Sequence, residues 1–186
     1  MSDTIKTGYH FTGELLRNGD PVPPIGEWLE FSGPIIPCKA GLHISEHSMD
    51  ALQYAPGPLL HRVELTGDLQ SNGDPIDKWC GRRRRIVASA DATVMLRLFA
   101  RQCASDVAHL WDAPQVVWDY LATGDETLRD AARAAAWTAA GAAAWTAAAA
   151  VAWTAARAAA GDAARAAQRR RCAEMVEELF ETRGGG

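Results

Sequence analysis

Basic charge is scarce in this sequence. The 19 lysines and arginines are outnumbered by 23 aspartates and glutamates, so the formal net charge is −4. General nucleic-acid binders gain affinity by releasing counterions and usually carry a net basic charge. We therefore expect no nucleic-acid partner. The basic residues lie late in the chain, and the run Arg82–Arg85 predicts a solvated strand edge.

Cysteine is also scarce, and its spacing forms no motif. The chain has four cysteines far apart in sequence: Cys38, Cys80, Cys103 and Cys172. Without a Cys-x-x-Cys pair, neither a zinc ribbon nor a thioredoxin-type centre is indicated. His43 and His47 are four residues apart, but the first is expected on a strand and the second on a helix, so we predict no metal site. We expect isolated buried thiols in a reducing cytoplasm.

Long apolar runs are missing as well. The N-terminus has no basic region followed by an apolar stretch, so we expect no secretory signal. The least polar run, 134–156, is mostly alanine and contains three threonines. Alanine inserts poorly into a bilayer, so we expect no membrane span. The prediction is a folded cytoplasmic protein.

Two short segments in the first half predict strands beside a ligand cleft. Gly8–Thr12 and Gly41–Ser45 carry apolar or aromatic residues at alternate positions, and each segment holds one histidine, His10 or His43. Such alternation is typical of half-buried strands. We therefore expect both histidines to face a cleft between strands.

A helix and two more strands are predicted next. Ser45 is expected to cap a helix that ends soon after Tyr54. Leu59–Leu65 alternates in the manner of a half-buried strand. A further strand begins near Arg84 and runs through Ile-Val-Ala. These segments together predict a small sheet domain with one or two helices.

The second half predicts helices, and its last part is repetitive. Apolar residues at helical spacing indicate helices over 92–104 and about 105–121. From Arg129 the sequence repeats every eight residues, with a tryptophan first in three of the repeats: Trp137, Trp145 and Trp153. Alanine dominates the repeats and favours helix.

The eight-residue period does not keep its tryptophans on one helix face. Eight residues advance an ideal helix by about 800°, so successive tryptophans are rotated by about 80°. Three interpretations stay open: one long and kinked helix, a stack of short helices, or low-complexity disorder. Gly161 followed by Asp162 favours a break at that point. Past it, 172–182 has the apolar spacing of an amphipathic helix.

The predicted fold class is therefore α+β. A small mixed or antiparallel sheet domain is expected over residues 1–90, a helical connector over 91–124, and an alanine-rich helical region of octad repeats over 125–186. We expect that helical region to contact a host protein or a second copy of the chain.

The order of elements in the first ninety residues resembles the ADP-ribosyltransferase fold, most closely its poly-ADP-ribose polymerase-like branch. That branch has a His-Gly-Ser/Thr motif on its first strand. It also has a glycine-led segment that ends in a tyrosine thirteen residues later, and Gly41 and Tyr54 have this separation. The resemblance covers roughly residues 7–90. It implies that His10 contacts the adenosine ribose and that Tyr54 stacks on nicotinamide, with His43 at a second, less essential aromatic position.

Two positions depart from that family's pattern. Phe11 stands where the family has a glycine and would crowd the nicotinamide pocket, and Arg84 stands where family enzymes carry a catalytic glutamate. A cation there would oppose the positive charge that develops in the transition state. We therefore predict no catalytic residues and no bound cofactor. The resemblance leaves NAD or an ADP-ribose-like molecule as the ligand of a site formed by four residues: His10, His43, Tyr54 and Arg84.

The arrangement as a whole also resembles proteins of bacteriophages and their bacterial hosts, some of which are labelled immunity proteins. The leading functional hypothesis is a non-enzymatic phage or bacterial accessory protein that binds a host factor or a nucleotide-type ligand. One alternative is an active NAD-dependent ADP-ribosyltransferase that uses another acid, such as Glu64. The other is a structural module that associates with itself.

Overall fold

The order of secondary structure follows the change in composition along the chain. The computed structural model describes residues 4–109, 111–144 and 150–182, and their side chains except those of 139–163. The strands are β1 (Lys6–Thr12), β2 (Trp28–Glu30), β3 (Leu42–Ile44), β4 (Leu59–Thr66), β5 (Gln70–Ser71), β6 (Trp79–Gly81) and β7 (Arg83–Asp91). The helices are α1 (Ser48–Leu52), α2 (Thr93–Ala108), α3 (Gln115–Thr123), α4 (Arg129–Ala144) and α5 (Ala150–Glu181). Antiparallel sheets followed by helices confirm the predicted α+β class.

Two antiparallel sheets form the N-terminal part. The larger has the strand order β1-β4-β7-β2, and the smaller has the order β3-β6-β5. β1 pairs with β4 so that His10 lies opposite His61. β4 pairs with β7 through a bulge between Arg62 and Val63. The two longest strands therefore occupy the middle of the larger sheet, where neighbours satisfy the backbone on both sides.

The core of this part lies between the sheets. Four buried apolar side chains form it: Ile44, Val63, Leu65 and Ile86. Partly buried apolar residues pack around them, including Leu42 and Trp79. Each strand contributes alternate residues, because successive side chains point to opposite faces.

The expected solvated edge at the arginine run is wrong. Arg83, Arg84 and Arg85 begin β7, Arg82 directly precedes it, and β7 is paired on one side with β4 and on the other with β2. Trp28 lies opposite Arg85, and Leu29 opposite Arg84, in the short strand β2. The sequence prediction missed this because β2 is only three residues long and is surrounded by turn residues.

The expected helix cap at Ser45 is also wrong. The helix α1 begins at Ser48, and His47 occupies the cap position without a side-chain hydrogen bond. Ser45 instead exchanges two backbone hydrogen bonds with Tyr9, at 2.8 and 3.0 Å. A Cβ on Gly8 would lie 2.5 Å from the Ser45 carbonyl oxygen, so this close approach requires glycine.

The last turns of α5 pack on the N-terminal sheets. Cys172, Val176 and Phe180 are buried at helical spacing, which confirms the amphipathic end predicted from the sequence. The Arg169 guanidinium lies 2.8 Å from the Asp50 carboxylate, which is 2 % exposed. Contact density accordingly groups Arg169–Gly186 with Met1–Met95 and assigns Leu96–Gln168 to a second unit. The predicted division at residues 90 and 124 stays a prediction.

The second unit is helical. α3 ends at Gly124, whose left-handed backbone closes the helix. The helix expected over 105–121 is wrong as one element, because residues 105–108 end α2 and α3 begins only after Pro114, which occupies its N-cap position. No helix among the described residues is both long and apolar enough to cross a membrane.

The octad repeats form helix wherever the structure describes their backbone. α4 covers the first two repeats, and α5 continues through Gly161, so the break expected there is wrong. Glycine weakens a helix by only about 1 kcal/mol, which the surrounding alanines offset. Trp137 is 83 % exposed. Trp145 and the side chain of Trp153 lie outside the described residues.

Candidate functional site

A cavity in the N-terminal unit collects the residues that the sequence singled out. Its volume is about 510 Å³, within the range of roughly 300–1,000 Å³ that is usual for small-molecule sites. β1, β2, β3, β7 and α1 each contribute to its wall. All four predicted site residues line it: His10, His43, Tyr54 and Arg84.

The cavity wall carries positive charge only. Four cationic side chains contribute to it: Arg17, Lys39, Lys78 and Arg84. Among the described residues that line the cavity there is no aspartate or glutamate. A concave, low-dielectric surface with charge of one sign concentrates the field, so the cavity attracts anions.

Arg84 is the most buried of these cations. It is 6 % exposed, and its Nη1 donates a hydrogen bond to the His43 carbonyl oxygen at 2.8 Å. Within the part of the chain that the structure describes, no carboxylate lies within ion-pair distance of it. Burial lowers the pKa of Arg84 to about 10, so the guanidinium stays charged at neutral pH. A buried charge without a counter-ion is costly and uncommon in proteins.

The neighbouring arginines show what a structural pairing looks like in the same run. Each has an acidic partner: Arg82 with Asp68 at 2.5 Å, Arg83 with Glu30 at 2.9 Å, and Arg85 with Glu64 at 2.7 Å. Arg83 and Arg85 also place their guanidinium groups over the Trp28 ring. Arg84 therefore differs from its three neighbours in both burial and partner.

Two histidines in the cavity have unused ring nitrogens. His43 Nε2 is buried and has no hydrogen-bond partner among the described residues. Burial and the nearby cations Lys78 and Arg84 lower the pKa of His43 to about 4. Burial, followed by the charge of Arg84, also holds the pKa of His10 well below its usual value. Both rings are therefore neutral at pH 7 and can hydrogen-bond to a ligand.

A third histidine, His61, was not predicted as part of this region, and its hydrogen bonds are already satisfied. Its Nε2 lies 2.8 Å from Thr12 Oγ1, and its Nδ1 lies 2.7 Å from Ser89 Oγ. Because the Thr12 hydroxyl donates to the Gly13 carbonyl, the His61 Nε2–H must be the donor to Thr12. Nδ1 then accepts from Ser89. These hydrogen bonds link β1, β4 and β7 next to His10, which lies opposite His61 in the β1–β4 pair.

Tyr54 lies at the exposed mouth of the cavity. It is 38 % exposed, and its hydroxyl donates to Asp77 Oδ2 at 2.9 Å. That hydrogen bond raises the pKa of Tyr54 to about 12. Lys78 Nζ stands 3.7 Å from the centre of the ring. The tyrosine is therefore held in place, with a cation against one face of its ring.

Three other sequence-based expectations concern this region. Phe11 is buried in the cavity wall, and its effect on a nicotinamide pocket stays a prediction. Glu64, the alternative catalytic acid, does not line the cavity and pairs with Arg85. All four cysteines are free thiols. The prediction that they are buried holds for Cys80 and Cys172 but is wrong for Cys103, which is half-buried, and for Cys38, which is exposed and lines the cavity.

The rim cations Arg17, Lys39 and Lys78 were missed by the sequence analysis. Each belongs to a loop, and each has a sequence context that resembles an ordinary solvated lysine or arginine. No three His, Cys, Asp or Glu side chains among the described residues are grouped in a way that could hold a metal ion.

Comparison with known proteins adds a family without a known function. The model of a family described as Domain of unknown function (DUF7666) matches residues 6–98, half of the chain. This span includes β1 to β7 and every residue that lines the cavity. No curated protein and no solved structure matches the chain. The two-sheet unit with its cationic cavity is thus the part that the family model covers, and the chain belongs to the DUF7666 family.

Proposed function

We propose that this protein is a non-enzymatic, cytoplasmic accessory protein of a phage or bacterium, and that its N-terminal cavity binds a nucleotide-type anion. One observation carries the proposal. The Arg84 guanidinium is 6 % exposed, lines a cavity and has no carboxylate partner in the described chain.

The cost of burying Arg84 supports a role in binding. An arginine used only to stabilise a fold is normally paired, as Arg82, Arg83 and Arg85 are. Removing an ion from water without a partner costs several kcal/mol. An anionic ligand would supply the missing negative charge and recover that cost. The site is therefore expected to be occupied when the protein functions.

The lining residues favour binding over ADP-ribosyl transfer. Transfer requires a carboxylate near the ribose to stabilise an oxocarbenium-like transition state, and Arg84 would oppose that charge. Glu64, the remaining candidate, is engaged with Arg85 outside the cavity. The convergence of His10, Tyr54 and Arg84 on one cavity agrees with the resemblance to the ADP-ribosyltransferase fold, which supports a nucleotide as the ligand.

Isothermal titration calorimetry with AMP and with ADP-ribose tests the proposal. We expect the wild-type protein to bind at least one of the two, and Arg84→Gln to lose that binding. Arg85→Gln is the matched control, because it removes an adjacent arginine outside the cavity. Absence of binding to either compound, or equal binding by Arg84→Gln, would reject the proposal.

Incubation with labelled NAD and cell extract tests the enzymatic alternative. Label that is transferred by the wild-type protein and lost on His10→Ala would replace our proposal with ADP-ribosyl transfer. We also propose that the octad repeats contact a host protein or a second copy. Light scattering of the full chain separates these two outcomes, because self-association raises the mass with concentration.

A further inference from the structure

We infer that the ligand enters the cavity phosphate-first, with a terminal phosphomonoester on Arg84 and the rest of the molecule towards Tyr54. This inference rests on the proposed function and adds the chemical class and orientation of the ligand. It distinguishes nucleoside monophosphates from dinucleotides such as NAD.

The cavity has a closed end and an open end, and burial defines them. At the closed end, Arg84 is 6 % exposed, and His43, whose carbonyl oxygen accepts from it, has a buried Nε2. At the open end, Arg17 and Lys39 are exposed. A ligand that contacts the Arg84 guanidinium must place a compact end group there, because the chain of a larger molecule can continue only towards the mouth.

The groups at the closed end match an oxyanion. One edge of the Arg84 guanidinium is held by the His43 carbonyl oxygen, and its other N–H groups make no hydrogen bond within the described residues. His43 Nε2 is buried without a partner, and the neutral His10 ring lies in the same wall. Arginine binds phosphate through two parallel hydrogen bonds. A neutral imidazole has one N–H donor, so the His10 ring can add one hydrogen bond to a phosphate oxygen, and the His43 nitrogen can accept one from a ligand hydroxyl.

The charge of the wall favours a phosphomonoester over a carboxylate. Arg17, Lys39, Lys78 and Arg84 line the cavity, and no described acidic residue does. A phosphomonoester carries a charge of about −1.5 to −2 at pH 7, whereas a carboxylate carries one. A phosphomonoester therefore neutralises more of the positive charge of the cavity wall than a carboxylate does.

The same arrangement disfavours NAD. Both phosphates of a dinucleotide are internal, so neither end of NAD is an anion. One end is an uncharged adenosine, and the other is a nicotinamide ring with a positive charge. Placing that cation against Arg84 would be repulsive in a poorly solvated site. ADP-ribose lacks the cationic ring but also has no terminal phosphate.

A series of ligands tests the orientation on the intact protein. Calorimetry is carried out with AMP, ribose 5-phosphate, adenosine, ADP-ribose and NAD at one fixed salt concentration. We expect AMP to bind at least about tenfold more tightly than ADP-ribose or NAD, a difference of about 1.4 kcal/mol. We expect ribose 5-phosphate to retain binding and adenosine to lose it.

Variants at the two ends of the cavity separate their contributions. Arg84→Gln should remove the preference for AMP over adenosine, and Arg85→Gln should keep it. Lys39→Gln should weaken AMP binding by a smaller factor that disappears at high salt, since exposed charges are screened. If Arg84→Gln does not fold, the ligand series on the wild-type protein still decides the question.

Cys38 provides an independent measure of orientation. This free thiol is exposed at the cavity mouth, where the adenosine of a phosphate-first AMP would lie. Peptide mass spectrometry measures the rate at which Cys38 is alkylated. We expect saturating AMP to lower this rate and inorganic phosphate to leave the rate unchanged. Binding of ADP-ribose or NAD as tight as that of AMP would overturn this inference and leave the proposed function standing. Absence of binding by every compound would overturn both.

Discussion

Replacing Arg84 with methionine should not destabilise the protein without ligand, although the residue is almost fully buried. Burial lowers its pKa from 12.5 to about 10, which corresponds to about 3 kcal/mol of cost for keeping the charge in the folded protein. Its hydrogen bond to the His43 carbonyl returns about 1.5–3 kcal/mol. Methionine has a similar length and no charge, so we expect the free energy of unfolding to rise by roughly 1 kcal/mol.

Amide hydrogen exchange of β4 and β7 measures this change, because their amides report on the N-terminal unit separately from the helical one. Arg85→Met is the matched control. It removes a partner from Glu64 and a cation from Trp28, so its free energy of opening should fall by about 1 kcal/mol. If Arg84→Met lowers the free energy of opening by 2 kcal/mol or more, Arg84 is a structural residue and our argument for a ligand fails.

Three further predictions concern the framework around the cavity. Burial lowers the pKa of His61 to about 4, so the unfolded chain binds a proton that the folded chain does not. His61 should therefore lower the stability by up to about 3 kcal/mol as the pH drops from 6.5 to 4, and His10 and His43 should add to this loss because their pKa values are also lowered. Urea unfolding of His61→Gln should show a flatter pH profile than the wild type. Arg169→Met leaves the carboxylate of Asp50 buried and unpaired. It should lower the free energy of unfolding by about 2 kcal/mol in the same assay. This is less than the usual loss for breaking a buried ion pair, because the arginine is half exposed. Gly8→Ala places a methyl group 2.5 Å from the Ser45 carbonyl oxygen, and should cost about 1–3 kcal/mol and weaken AMP binding.

Each of these predictions has a control in the same chain. His47→Gln replaces an exposed histidine instead of a buried one and is the matched control for the substitution. Adding Asp50→Asn to Arg169→Met should recover part of the lost stability, since position 50 then carries no buried charge. Gly13→Ala adds a methyl group whose closest neighbour is 3.8 Å away, so it should have little effect. Equal losses for the alanine variants at positions 8 and 13 would contradict the proposed close approach.

Sequence reasoning named four residues that line one cavity, but it missed most of the charges around them. The histidine of β1 lines the cavity as the alternation of its strand predicted. The tyrosine thirteen residues after Gly41 also lines it, and that position was implied by the family resemblance. The cations Arg17, Lys39 and Lys78 were missed, because loop residues show no periodicity from which their direction could be inferred.

The helical half shows where local preferences succeed and where they fail. The buried face of α5, with Cys172, Val176 and Phe180, follows from helical spacing alone. The expected helix starts and stops at Ser45 and Gly161 were wrong. At Ser45 a backbone pairing with Tyr9 replaced the expected cap, and at Gly161 the helical preference of the surrounding alanines was stronger than that of one glycine.

The amino-acid sequence by itself determined the α+β class, the longer strands β1, β4 and β7, the helical second half, and the placement of His10 and His43 on strands beside a cavity, since these depend on patterns within a few residues. Only the tertiary structure decided that Arg84 is a buried, unpaired cation while its three neighbours are paired. That difference depends on what covers each face of β7. Residues of β3, far away in the chain, cover the face of Arg84, whereas Arg83 and Arg85 lie with Trp28 on the other face.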